Sequence, residues 1–220
     1  MTKNLLDREI AKFTGKKVEP FGFGKIFSKD SKSPETSRTK SLATAGEFIP
    51  LDLNKTSDFK AYEEIANKFI SSRPSNLLGI RGNMLADAAR NTFRKTGKYV
   101  PVELALAQLS QEGGFSNNPN SRPIKTKNPF NVGNVDSGKN KYLSSVQSGI
   151  QTYYDLIANK YLVGGKTASD LIDNFVNASG NRYASDRKYE SNLSRIASQI
   201  KSMGEPVYAS LQSKSGGTNV

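Results

Sequence analysis

The chain of 220 residues is long enough for one good core with appendages, or for two small domains. It holds no cysteine and no histidine, which excludes disulfides, thiolate metal sites and imidazole acid–base chemistry. A total of 32 Lys and Arg against 20 Asp and Glu gives a net charge of +12 and points to an anionic partner, while a hydrophobic content of 35% implies that part of the chain adds little to a core.

Residues 1–45 carry ten Lys or Arg and five acids, a net +5. Ser28–Thr44 is rich in Ser, Lys and Thr without an apolar period, so it reads as flexible. Leu5, Leu6, Ile10 and Phe13 fit one short amphipathic helix, and Phe21, Phe23, Ile26 and Phe27 add apolar anchors. The expectation for residues 1–57 is a basic, largely irregular arm, either disordered or ordered by docking on a partner. Met1–Phe13 has charges where a signal peptide places its apolar centre, and no run approaches 18 apolar residues. Neither a signal peptide nor a membrane span is expected.

From Asp58 the pattern turns helical. Phe59, Tyr62, Ala66, Phe69 and Ile70 form one stripe, and Ile80, Met84, Leu85, Ala88 and Phe93 a second. Val102, Ala105, Leu106 and Leu109 form a third, with Pro101 at the first turn and Gly113-Gly114 as the stop. Residues 113–143 show no helical period and predict a long loop with at most a short hairpin. Ser144 and Gln147 suit a capping box for the next helix, whose face is Val146, Ile150, Tyr154, Ile157 and Tyr161. Leu171, Ile172, Phe175 and Val176 predict a shorter helix; Leu193, Ile196, Ala197, Ile200 and Met203 predict the last, with residues 206–220 as a tail. The fold class is therefore mainly α: a helical domain over 58–205, with a non-helical loop or hairpin insertion after the third helix.

The third stripe carries the chemistry. Three residues beyond Leu109 it lands on Glu112, so a carboxyl group points along a buried face in the last turn of a helix. There the helix dipole disfavours an anion by roughly 0.3–1 kcal/mol, and burial acts in the same direction. A glutamate held protonated near neutral pH suits a general acid. Without histidine or cysteine, acid–base work falls to Asp, Glu, Tyr or Lys, and glycoside hydrolysis needs only carboxylates. The loop segment Asn128-Pro-Phe-Asn-Val-Gly-Asn-Val-Asp-Ser-Gly138 offers amides for sugar hydroxyl and N-acetyl groups (Asn128, Asn131, Asn134), Phe130 for a ring face and Asp136 to hold a water. The bland alternative is a polar turn. In Arg182-Tyr-Ala-Ser-Asp-Arg-Lys-Tyr189, Ser185 or Asp186 caps the last helix, and Tyr183 precedes the cap. Glu103 and Asp155 lie on predicted helices and read as solvated faces.

Three segments in one order, Ala107-Gln-Leu-Ser-Gln-Glu-Gly-Gly-Phe115, Asn128-Pro-Phe-Asn-Val-Gly133 and Tyr183-Ala-Ser-Asp186, resemble the motifs of the glucosaminidase family of bacterial and phage cell-wall hydrolases (glycoside hydrolase family 73), part of the lysozyme-like group. The likeness covers roughly residues 60–203. It implies a lysozyme-like helical domain, Glu112 as general acid and Tyr183 as a tyrosine needed near the cleavage point. Asp136 approximates the family's second acid. Gly113 departs from the usual Ser after the Glu, and with no Trp in the chain, Phe115, Phe130, Tyr142 and Tyr183 are left to stack on sugar. The implied function is cleavage of a β-1,4 bond of peptidoglycan as an N-acetylglucosaminidase or muramidase, with lytic transglycosylation as a variant, and without metal or cofactor. A phage particle would be the vehicle, tail or internal, or delivery to the periplasm and wall. The arm would dock to other virion proteins. Two other readings are an inactive virion protein keeping the domain as scaffold or wall-binding module, and a nucleic-acid binder. Charge spread along the chain and concentrated in the arm argues against the latter.

Overall fold

A computed structural model describes residues 48–134, 140–186 and 188–215. The expected amphipathic helix and anchors of the arm, Asp136, and the last residues of the tail lie outside the described residues. Among the described residues seven α-helices follow in order: α1 Thr56–Ser71, α2 Gly82–Thr96, α3 Val102–Gln111, α4 Arg122–Thr126, α5 Val146–Leu156, α6 Ala168–Asp173 and α7 Tyr189–Ser215. A π-helical turn, Ile157–Tyr161, continues α5. No strand occurs among the described residues, and one isolated bridge joins Val176 to Arg182. The mainly helical class stands. The 113–143 insertion, expected to be non-helical with at most a short hairpin, instead carries the short helix α4, started by Pro123 near its N-terminus, and has no strand among its described residues.

The centre of the fold is α3. The sequence reads it as one apolar stripe, yet every residue from Val102 to Leu109 is buried, Glu103 and Gln108 included. A helix apolar nearly all round belongs inside a bundle. It packs against α7 and α1; α1 also meets α2 and α7, and α2 meets α5. The α1 stripe closes over Tyr62, Ile65, Ala66 and Phe69, all essentially inaccessible.

Four expectations need correction. The folded unit starts before Asp58: Leu51 and Leu53 are core residues, and the Asp58 carboxylate accepts from the Asp52 N–H at 2.9 Å, fastening that segment to the first turn of α1. Residues 206–215, expected as tail, are helical. The helix α7 runs on to Ser215 through Pro206, because Val207 and Tyr208 drop into the core and outweigh the hydrogen bond lost at proline. The capping box of α5 sits one residue later than expected, with the Ser145 and Ser148 side chains accepting reciprocally from each other's backbone N–H. Gln147 reaches across to donate to the Met84 carbonyl on α2. Glu103 and Asp155, read as solvated, are engaged: Tyr208 donates to Glu103 at 2.5 Å, and Asp155 accepts from Thr92 and Gln151.

The insertion after α3 is seated on α5 at Gly149. A Cβ there would lie 2.5 Å from the Lys127 carbonyl oxygen and 2.7 Å from Pro129 Cδ, so only glycine lets the loop rest against the helix backbone. That contact brings residues 128–134 beneath the C-terminus of α3.

Candidate active site

Glu112 is the C-cap of α3, where Gly113 at φ +79° turns the chain away. Its backbone carbonyl, which the helix leaves without an internal donor, accepts from Asn131 Nδ2 at 2.8 Å. Asn131 itself takes the left-handed conformation at φ +51°, a region that asparagine tolerates better than most residues. Behind it, Asn134 donates to Asn131 Oδ1 at 3.1 Å and accepts from the Lys141 N–H at 2.7 Å. The two amides thus form a ladder that ties the loop to the end of the helix.

The carboxyl group of Glu112 meets α7. The Tyr189 hydroxyl donates to Oε1 at 3.1 Å. Gln108, one turn back on the same face of α3, donates through Nε2 to the Tyr189 oxygen at 3.1 Å. The Tyr153 hydroxyl on α5 donates to Gln108 Oε1. Burial pushes the Glu112 carboxyl up from its ordinary 4.5 to about 7, while the Tyr189 hydroxyl and the Asn131 amide pull in the opposite direction.

A cluster of rings backs this chain. Tyr183 stacks on Tyr189 at 5.7 Å and 24°, and Phe175 stands edge-on to both. The π turn carries Tyr161 into the same cluster, 5.7 Å from Tyr183. Burial raises the Tyr183 hydroxyl well above its usual range, with the Glu112 charge adding to it.

Of the residues singled out in the sequence, Glu112 and Tyr183 are brought together, bridged by Tyr189. The Tyr183 hydroxyl is directed elsewhere than the carboxyl group, donating to the Phe130 carbonyl at 3.2 Å. Phe130 offers no ring face to a sugar: it is fully buried and stacked on Tyr153 at 3.7 Å and 6°. Asn128 is likewise buried, its side chain spent on both backbone groups of Val132. Phe115 packs edge-on to Phe69, and Asn131 and Asn134 are engaged in the ladder. Tyr142 is 69% exposed and is the one aromatic of the expected four with an open ring. Asp136 lies outside the described residues. These departures share one cause: a short loop under a helix end must satisfy its own backbone, and its amides and Phe are consumed in doing so.

The sequence by itself assigns no role to Gln108, Tyr189 or Tyr153. The i, i+4 spacing of Gln108 and Glu112 is a signal that both face one partner, whereas nothing local marks Tyr153 or Tyr189 as that partner. Two recesses, of about 710 Å³ along α1 beside Met203 and about 430 Å³ at Gly164–Asn174, lie away from Glu112. Among the described residues no group of three Asp, Glu, His or Cys is placed to hold a metal ion, and no helix is long and apolar enough to cross a membrane. Comparison with family models, curated proteins and solved structures gives no match to this chain.

Proposed function

We propose that the protein hydrolyses a β-1,4 glycosidic bond of bacterial peptidoglycan, with Glu112 as general acid, in a lysozyme-like helical domain carried by a phage particle. The observation that carries this reading is the Glu112 carboxyl group itself: largely withdrawn from water, raised to about 7, and served by the neutral donors Tyr189 and Asn131 rather than by a cation. A carboxyl so held keeps its proton near neutral pH and can still release it. Glu112 gives that proton to the glycosidic oxygen as the C1–O bond breaks. Water then adds to C1 and passes a proton to a base, after which Glu112 is reprotonated from solvent.

Asp136 is the proposed base. Inversion at C1 requires it to stand about 6.5–9.5 Å from Glu112 across the sugar. In its absence the substrate's own N-acetyl group attacks, or an anhydro sugar forms. Tyr183 and the exposed Tyr142 are the proposed aromatic contacts. The net charge of +12 draws the protein to an anionic wall. Docking of the basic residues 1–45 to other virion proteins belongs to the same proposal.

Glu112→Gln keeps the shape and removes the proton. It is expected to abolish clearing of purified peptidoglycan while melting as a folded protein. Clearing at the wild-type rate would rule out the acid role, and inactivity of the wild type itself would favour the scaffold or wall-binding reading. Mass spectrometry of the products separates the chemistries: a reducing N-acetylglucosamine end, a reducing N-acetylmuramic acid end, or a 1,6-anhydro end.

A further inference from the structure

The hydrogen bonds at Glu112 run in one direction, and the reason lies two side chains away. Tyr153 is completely buried, its ring covered by Phe130, and among the described residues Gln108 is the sole partner of its hydroxyl. That hydroxyl must donate, because a buried O–H without an acceptor costs about as much as a lost hydrogen bond. The acceptor is Gln108 Oε1, which fixes the amide so that Nε2 faces Tyr189. With its oxygen taken by that N–H, the Tyr189 hydroxyl directs its own proton at Glu112 Oε1. The reverse order requires a protonated Glu112 to donate to Tyr189, and Tyr189 to Gln108. It then leaves the Tyr153 proton facing the amide N–H groups with no acceptor.

We propose that Tyr153 and Gln108 are positioning residues that set the direction of this chain, so that Tyr189 always donates to Oε1 of Glu112 and Oε2 is the oxygen that carries the transferable proton. The direction has a chemical consequence. A donor held on Oε1 favours the carboxylate left after proton transfer and limits how far burial can suppress it. The titratable groups packed round Glu112 are Tyr189 from α7, Tyr153 from α5 and Tyr183 ahead of α7, all kept neutral by burial. The chain therefore acts by dipole orientation and not by charge. This inference rests on the acid role proposed for Glu112, but its test reads the carboxyl group directly.

The experiment is a titration of the Glu112 carboxyl carbon by NMR in the full chain, for wild type, Tyr189→Phe and Tyr153→Phe, with peptidoglycan clearing measured alongside. Wild type is expected to titrate near 7. Loss of the donor in Tyr189→Phe should move the midpoint up by about one pH unit. Tyr153→Phe does not touch Glu112, yet it removes the obstacle to the reversed chain, so a smaller upward shift is expected. A Tyr153→Phe midpoint equal to wild type overturns the proposal, as does an unmoved Tyr189→Phe. If either variant fails to fold, the Tyr189 hydroxyl proton in wild type provides the readout: it must shift with the Glu112 midpoint, and a resonance indifferent to that titration overturns the proposal. Clearing that survives Glu112→Gln would refute the acid role while leaving the titration result intact, so the two failures are distinguishable.

Discussion

At the scale of single residues, the raised Glu112 carboxyl ties the proposed acid role to stability. The folded carboxyl holds its proton up to about 7, whereas the unfolded one releases it near 4.5. Between those values the folded state binds the extra proton, so stability falls as pH rises through that window and is fully present below it. The amount at stake is on the order of 3 kcal/mol. Glu112→Gln is neutral throughout, and it is expected to melt close to wild type at pH 4.5 and above wild type at pH 8. Equal melting differences at both values would mean that the carboxyl is not held protonated. Glu103, also raised by burial, contributes in the same direction, so the variant removes only part of the pH dependence. The catalytic counterpart is a clearing rate that falls about tenfold per pH unit above 7 as the proton is lost. A rate that climbs with pH in that range would point to a base in place of an acid.

At the scale of elements, two contacts shape the site from a distance. Gly149 lets the 127–129 segment lie on α5, and Gly149→Ala would press a methyl group into the Lys127 carbonyl. The expected cost is about 1–3 kcal/mol in urea unfolding. Clearing should fall further than that cost explains, because Asn131 moves with the loop away from the Glu112 carbonyl. The second contact is the far end of α7. A chain ending at Glu205 loses buried Val207 and Tyr208 and strands Glu103 without its donor. A loss of at least about 3 kcal/mol is expected. An unchanged urea midpoint would show that residues beyond 205 are dispensable to the fold.

The whole molecule carries 32 basic against 20 acidic residues, of which residues 1–45 hold ten and five. Pelleting with purified cell wall is expected to weaken as NaCl rises from about 0.05 to about 0.5 M, where screening shortens to a few ångströms. Removing residues 1–45 takes away five of the twelve net charges and should make that salt dependence shallower. Salt-independent pelleting would assign wall binding to specific sugar contacts alone.

What the sequence determined by itself was local. Periodicities of three and four located α1, α2, α3 and α5, since each helix must bury one face whatever its neighbours. The same logic placed Glu112 on a buried face next to a stop, because a carboxyl on an apolar stripe is improbable without a reason. Tertiary structure decided everything that depends on partners far along the chain. Pro206 and Gly204 signal a helix end by local rules, and only the burial of Val207 and Tyr208 overrides them. Composition made Phe130 and Asn128 look like ligand contacts, but a loop folded under α3 must satisfy its own core and backbone first. Glu112, Gln108, Tyr153 and Tyr189 come from three helices, and their order of donation exists only where the bundle closes. Periodicity assigns a face to each helix and leaves unspecified which side chains meet across it.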